Sequence, residues 1–270
     1  MENKFYPLAD FAYSQRASRI TRCTWHCHDT YEVYYMTHGE CSMFIKDKTY
    51  HTSDNNLYII PPGYVHSNTY TVENIERYVF NFSEDMVPDT LLQPFKKLAE
   101  KIVYIPKYPA ELLMLFKQLH SEIKKQDAYA PLMIQDTVHR LLVHLLRNES
   151  LPNTVEGITH PLINKLLRHI DEHFSEHVTI QQASEMLHVN RSYLSRLFHQ
   201  HTGFTFPNYL CTVRLREAKK LLSRTNLPLT DIAMQCGFSS IVYFSTTFAK
   251  YESITASMYR SLHPTVPVTI

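Results

Sequence analysis

Residues 180–210 and 230–260 repeat one pattern fifty positions apart, and no other feature restricts the fold of this chain as strongly. In that alignment Ala183 falls on Ala233, Tyr193 on Tyr243, Ser195 on Ser245, Phe198 on Phe248, Thr205 on Thr255 and Tyr209 on Tyr259. Apolar character persists at Met186/Cys236, Leu194/Phe244 and Phe204/Ile254. Each copy reads as a short helix, a tight turn and a second helix, followed by a break and a further helix. A helix-turn-helix of this kind can lay its second helix in a major groove. A plain helical bundle with solvated charges is the bland alternative, and two copies with matching caps, core and spacing count against it.

Local chemistry marks where these helices start and stop. Thr179 with Gln182 forms a capping box, and Thr230 followed by Asp231 opens the second copy. Asn190 suits the start of the first recognition helix, and Ser239 or Ser240 the start of the second. Gly203 is placed to end a helix in a left-handed cap, and Gly237 to permit a tight turn. Leu187 stands opposite Gly237, so the first turn is expected to be built differently. Between the copies, residues 205–223 read as one helix with Pro207 in its first turn. Such a helix is roughly 28 Å long, close to the spacing of about 34 Å between major-groove sites one turn apart.

These residues resemble the DNA-binding domain of AraC/XylS-type transcription regulators: Ala183-x-x-Met186, Tyr193 to Phe198, Gly203-Phe204-Thr205, Arg214-Leu215-x-x-Ala218-x-x-Leu221-Leu222, and Ile232-Ala233-x-x-Cys236-Gly237-Phe238-Ser239. The resemblance covers residues 160–263 and implies a two-lobed, seven-helix domain with one helix-turn-helix per lobe. Ser253 and Ala256 stand where the family usually has Gly and Pro, and Thr246 where many relatives have Arg. By motif position Ser192, Ser195 and Arg196 face bases in one half-site, and Ser240, Val242, Ser245 and Thr246 in the other. Arg191, Arg214, Lys219, Lys220 and Lys250 are candidates for phosphate contacts or solvated charges. An arginine can make a bidentate contact to guanine worth about 1–3 kcal/mol of discrimination, whereas threonine offers one hydroxyl or a methyl. The first lobe is therefore expected to read bases more strongly than the second.

Charge agrees with that placement. Residues 161–270 carry eleven Lys/Arg against seven Asp/Glu, and residues 1–160 sixteen against nineteen, within a formal net charge of +1. A modest basic excess gives limited, salt-sensitive affinity, to which dimerisation can add. A length of 270 residues suggests two domains. Residues 148–160, with Pro152, Asn153 and Gly157, read as a linker between domains at 1–147 and 161–270. There is no apolar run of transmembrane length and no signal-peptide core, so a soluble cytoplasmic protein with no membrane partner is expected. Five cysteines without paired spacing argue against a disulfide framework, and only five glycines against a glycine-rich nucleotide loop.

Short β-prone runs at 24–28, 32–37, 41–46, 56–60 and 77–82 predict a small antiparallel barrel or sandwich ahead of the linker. His26-Cys27-His28, with Glu32 and Gly39, and Pro61-x-Gly63-x-x-His66 resemble the two cupin motifs. His26 and His28 would share a strand face. In metallated cupins the positions of His26, His28, Glu32 and His66 bind metal, and three imidazoles with a carboxylate can hold a divalent ion with open positions. AraC-type sensor domains often keep the paired histidines without metal, to bind a sugar or another small effector. A metal-free effector pocket, a metal used in sensing and a structural cluster all stay open, with no cofactor required. Eighteen tyrosines, among them Tyr31, Tyr34, Tyr35, Tyr64 and Tyr70 near the motifs, suit a polyhydroxylated ligand, with Tyr34 a candidate contact. By family analogy residues 1–22 form an arm over the barrel mouth.

Two amphipathic helices follow, one through Leu112, Leu113, Leu115, Phe116, Leu119 and Ile123, the other through Ile134, Val138, Leu141, Leu142, Leu145 and Leu146. The second stripe is wide enough to suggest a homodimer interface; packing within the monomer is the alternative. The expected architecture is multidomain α and β: a cupin-like antiparallel β-barrel with two following helices, then an all-α domain with two helix-turn-helix motifs. The function expected is that of a transcription regulator, not an enzyme, leaning by resemblance towards activation with RNA polymerase as a partner. It would bind double-stranded DNA under control of a small, sugar-like effector. A metal-dependent cupin enzyme carrying a DNA-binding appendage and a constitutive architectural protein are the alternatives.

Overall fold

The structure is a computed structural model, and it describes residues 11–16, 27–70, 75–125, 127–147 and 157–263. The chain divides into two compact units, Met1–Ile158 and Thr159–Ile270.

Among the described residues the first unit holds eight strands: β1 (Phe11–Arg16), β2 (Tyr31–His38), β3 (Cys41–Ile45), β4 (Lys48–Thr52), β5 (Leu57–Ile60), β6 (His66–Tyr70), β7 (Ile75–Phe82) and β8 (Val103–Tyr104). They form a five-stranded sheet in the order β1-β7-β2-β5-β8 and a three-stranded sheet β4-β3-β6, with every pairing antiparallel. Tyr34, Met36, Tyr58 and Ile60 from the large sheet pack with Met43, Ile45, Tyr50 and Tyr70 from the small one, so the two sheets close on a shared interior. The opposite face of the large sheet is also buried. Tyr31, Val33, Tyr35, Tyr78, Phe80 and Phe82 pack against α1 (Asp89–Ala99), α2 (Pro109–Lys125) and α3 (Ala130–Arg147). Side chains of a strand alternate between faces, so β2 sends Glu32, Tyr34 and Met36 inward and Tyr31, Val33 and Tyr35 to the helices.

Several details depart from the sequence expectation. Three helices, not two, cover the sheet; α1 carries Pro94 in its interior, which breaks the usual helical signal, yet buries Phe95, Leu98 and Ala99. Strands β4 and β6 have no apolar alternation to announce them. Residues 11–16 of the expected arm form β1, paired along its whole length with β7. The remainder of that arm, and residues 148–156 of the expected linker, lie outside the described residues. Gly157 and Ile158 rest on the small sheet, where Ile158 makes an antiparallel bridge with Thr49 through bonds of 2.8 and 2.9 Å.

Among the described residues the second unit contains seven helices: α4 (Pro161–His173), α5 (Ile180–Met186), α6 (Arg191–Thr202), α7 (Phe206–Arg224), α8 (Leu229–Gln235), α9 (Ile241–Glu252) and α10 (Ala256–Leu262). Thr179 and Gln182 complete a reciprocal capping box, the Asn190 side chain accepts from Ser192 and Tyr193, and Gly203 ends α6 at φ +77°. In the second copy Ser240 is the cap that acts, while α8 starts at Leu229 after Pro228, one residue before Thr230.

The repeat itself needs a correction. Leu187, His188 and Val189 donate to Ala183, Glu185 and Ser184, and Cys236, Gly237 and Phe238 donate to Ile232, Met234 and Ala233. The first helix and turn therefore match at a spacing one residue shorter than the recognition helices. His188 at φ +54°, not Leu187, is the counterpart of Gly237 at φ +76°. The turns are built alike, and the extra residue, Ser239, precedes the second recognition helix.

Candidate functional site

All eight residues placed by motif at the DNA face lie on α6 or α9 or at the cap of α9, and all are exposed: Arg191, Ser192, Ser195, Arg196, Ser240, Val242, Ser245 and Thr246. Their helices are fixed from beneath. In the first lobe Leu194, Leu197, Phe198, Phe204 and Tyr209 are buried, with Phe198 and Phe204 set edge-on to Tyr209. In the second lobe Phe244 and Phe248 pack with Ile232, Ala233, Phe238 and Tyr259. The exposed chemistry differs between the copies. Helix α6 carries Arg191 and Arg196, whereas α9 bears no charged side chain from Ile241 to Ala249. The Ser240 hydroxyl accepts from the Tyr243 amide, and the Thr246 hydroxyl donates to the carbonyls of Val242 and Tyr243 at 3.0 and 3.1 Å.

Two of the residues read as phosphate contacts or solvated charges are neither free nor fully solvated. Lys219 is 1% exposed, and its ammonium lies 3.2 Å from the Glu252 carboxylate, joining α7 to the end of α9. Arg214 donates to the carbonyls of Phe174 and Glu176, closing the chain after α4. A basic residue in the sequence signals charge but not where its long apolar stem runs. Burial pushes the Cys236 thiol up to about 12 and raises that of Cys211, so neither is held as the reactive thiolate.

The first unit brings together His28, Glu32 and His66, whose nearest ligand atoms lie within 4.8 Å of one another. His26 lies outside the described residues. His28 sits in the segment before β2, not on a strand face as expected, and its carbonyl accepts from the Gly63 amide at 2.8 Å. Gly63 has φ +76°, so the second motif turns back to fasten the first. Asn55 takes a left-handed conformation at φ +63° and accepts a bond from the Tyr35 hydroxyl. Glu32 projects inward from β2 and His66 from the start of β6.

The two imidazoles are oriented by the same device. His28 Nδ1 faces the Thr30 carbonyl at 3.0 Å, and His66 Nδ1 faces the Tyr64 carbonyl at 2.9 Å. A carbonyl can only accept, so both Nδ1 atoms carry hydrogen and both Nε2 atoms point at Glu32, at 3.1 and 3.8 Å. In the neutral rings those Nε2 atoms present lone pairs to a carboxylate. A proton or a cation between them removes the repulsion. Further into the same interior, Tyr34 and Tyr70 hydroxyls lie 3.1 Å apart, and Arg77 donates to Tyr34 while stacking over the Tyr70 ring at 4.9 Å. Burial, with Asp47 nearby, pushes the Tyr50 phenol up to about 12, keeping it a neutral hydrogen-bonding group. Sequence reading missed Arg77 because a lone arginine in a strand run reads as a solvent-facing charge.

No helix among the described residues is long and apolar enough to cross a membrane. Residues 9–142 match the family model for the AraC-like ligand binding domain, and residues 183–261 that for the Helix-turn-helix domain. An uncharacterized HTH-type transcriptional regulator of Staphylococcus aureus (strain MSSA476) is 31% identical over 151 residues, 54% of this chain and 19% of that protein. The HTH-type transcriptional activator RhaS of Enterobacter sp. (strain 638) is 33% identical over 142 residues, 52% of this chain and 50% of that one. The chain thus matches half or less of the length of these relatives. Among solved structures, the C-terminal domain of AraT, a response regulator from Geobacillus stearothermophilus, is similar at 32% identity over 41% of this chain and 93% of that one, with a TM-score of 0.40. With an AraC-like ligand-binding domain followed by a helix-turn-helix domain, the chain belongs to the AraC-type family of transcription regulators.

Proposed function

We propose that this protein is a sequence-specific DNA-binding regulator, working in the cytoplasm as a homodimeric activator that contacts RNA polymerase. We propose further that a sugar-like small molecule in the first unit switches it. The observation that carries the first proposal is the pair of buttressed recognition helices presenting eight exposed motif residues, joined by the 19-residue α7. At 1.5 Å per residue α7 is roughly 28 Å long, a length compatible with successive major grooves. The activator role leans on the name of the RhaS relative. The sugar reading is supported by tyrosine rings and hydroxyls set beside Glu32, His66 and Arg77 in one interior. The full chain should retard selected promoter fragments at a fixed salt concentration, and a sugar panel should change that affinity or the melting temperature. Failure to prefer any sequence over bulk duplex overturns the DNA reading, and indifference to every sugar overturns the effector reading.

The facing lone pairs favour a second reading of the same cluster, a bound divalent cation. His28, Glu32 and His66 would hold it, and it would supply a Lewis-acidic centre able to ligate an effector hydroxyl or carboxylate. Titrating chelator-treated full chain with Zn²⁺, Mn²⁺ or Ni²⁺ tests it: saturable binding lost in Glu32→Gln supports the reading, and equal binding by that variant refutes it.

A further inference from the structure

We infer that the second recognition helix reads thymine, through methyl groups presented by Val242 and Thr246, while the first lobe reads guanine through Arg196. This rests on the DNA-binding function proposed above. Val242 and Thr246 are four residues apart, so they stack on one face of α9. Val242 is 69% exposed, so it presents apolar methyls at the surface. Thr246 is exposed as well, but its hydroxyl is bonded to the carbonyls of Val242 and Tyr243 one turn back. With that hydroxyl turned into the helix, what Thr246 offers a groove is its methyl group.

In the first copy the positions fifty residues earlier are Ser192 and Arg196, a hydroxyl and a guanidinium. The two lobes therefore differ in kind rather than in strength. Arginine meets the paired acceptors on the major-groove edge of guanine, and methyls meet the C5-methyl of thymine, the one apolar group on that surface. The absence of charge from Ile241 to Ala249 fits a helix that makes few demands on acceptors or phosphates.

Sites selected from random duplex by the full chain supply the test, and the half-site whose preference disappears in Arg196→Ala belongs to the first lobe. In the other half-site, thymine is replaced by uracil, which lacks only the methyl. Wild-type protein is expected to lose about fourfold in affinity per contacted methyl, the equivalent of roughly 0.8 kcal/mol per buried carbon. Thr246→Ser, which drops the methyl and keeps the hydroxyl, should lose the share of uracil sensitivity that belongs to Thr246 and keep that of Val242, and Thr246→Val should retain both. The reverse ranking shows that the hydroxyl reads the base and overturns the inference. So does unchanged site selection in Val242→Ser and Thr246→Ser accompanied by lost transcription, which marks the patch as a protein contact. Guanine selection by the first lobe with no thymine in the second half-site refutes the thymine assignment alone. Selection of no sequence at all removes the function on which it rests. Melting curves of the exposed-site variants should overlay wild type.

Discussion

Replacing Gly237 by alanine tests both the structural repeat and the way the second lobe is braced. Gly237 has φ +76°, a region that costs a residue with a β-carbon about 1–2 kcal/mol. The added carbon would also lie 2.6 Å from the Ser175 carbonyl oxygen and 2.8 Å from its carbonyl carbon and Cα. These are backbone atoms, so they cannot swing aside as a side-chain tip does, and displacing them costs roughly another 1–3 kcal/mol. A total of about 2–5 kcal/mol is a large share of the roughly 5–15 kcal/mol that holds a typical domain. At about 4 °C per kcal/mol, melting of the second unit should fall by roughly 8–20 °C. His188 holds the same place in the first turn at φ +54° and is exposed, so His188→Gly should move stability the other way, by up to about 1 kcal/mol. Helical circular dichroism of the full chain, to which the second unit contributes seven of the described α-helices and the first unit three, follows the loss as an earlier melting transition. If Gly237→Ala melts within about 1 kcal/mol of wild type, or if both variants are equally destabilised, the one-residue offset and the packing on Ser175 are wrong.

Ser253 ends α9 at φ +60° in the place glycine usually takes, and Ser253→Gly is expected to raise the stability of the second unit by about 0.5–1 kcal/mol in denaturant titrations. Lys219→Met should destabilise that unit by leaving Glu252 without its ammonium, and adding Glu252→Gln should recover most of the loss, which a double-mutant cycle measures. Gly157→Ala places a carbon 2.7 Å from Lys48 Cβ and 2.8 Å from the Tyr50 ring, so amide exchange at Thr49 and Ile158 should speed up as their bridge opens. Burial holds His144 below the ordinary histidine range, with Glu111 opposing it. The unfolded chain then takes up the proton first, so stability should decline as pH falls below about 6.5, and His144→Asn should flatten that decline.

What the sequence made legible is the part fixed by local rules. The capping box at Thr179, the Asn190 cap and the left-handed Gly203 follow from bonds within a few residues of each side chain. The one-residue offset between the copies was hidden by coincidence: Ala233 lies opposite Ala183 in a gapless alignment, yet Ser184 is its counterpart in the fold. Both Ala183 and Ser184 are buried, as are Ile232 and Ala233, so hydrophobic periodicity is satisfied either way. The buried path of Lys219 and the inward aim of Arg77 depend on what packs opposite them, which no short window reports. The histidine–carboxylate cluster was legible as a set of residue types. Its orientation was not, because the ring directions are set by the carbonyls of Thr30 and Tyr64 and by the closure of Gly63 onto His28.

The two-sided burial of β2 gives the first unit a physical means of registering an occupant. Glu32 and Tyr34 face the interior, while Val33 and Tyr35 between and beyond them are packed on the helical layer, Tyr35 stacking on Phe116 of α2 at 5.4 Å. In a close-packed core a strand cannot roll to meet a ligand on one face without pressing the other face on its neighbours. A second contact leads the opposite way. Tyr50, buried in the same interior, lies against Gly157, whose neighbour Ile158 is bridged to the edge of β4. A ligand that pushes the Tyr50 ring towards Gly157 would press on that backbone, since a β-carbon built there lies 2.8 Å from the ring. If an occupant of the first unit switches DNA binding as proposed, opening that bridge by Gly157→Ala should imitate part of its effect on DNA affinity. An unchanged response would leave β2 and the helices as the remaining path.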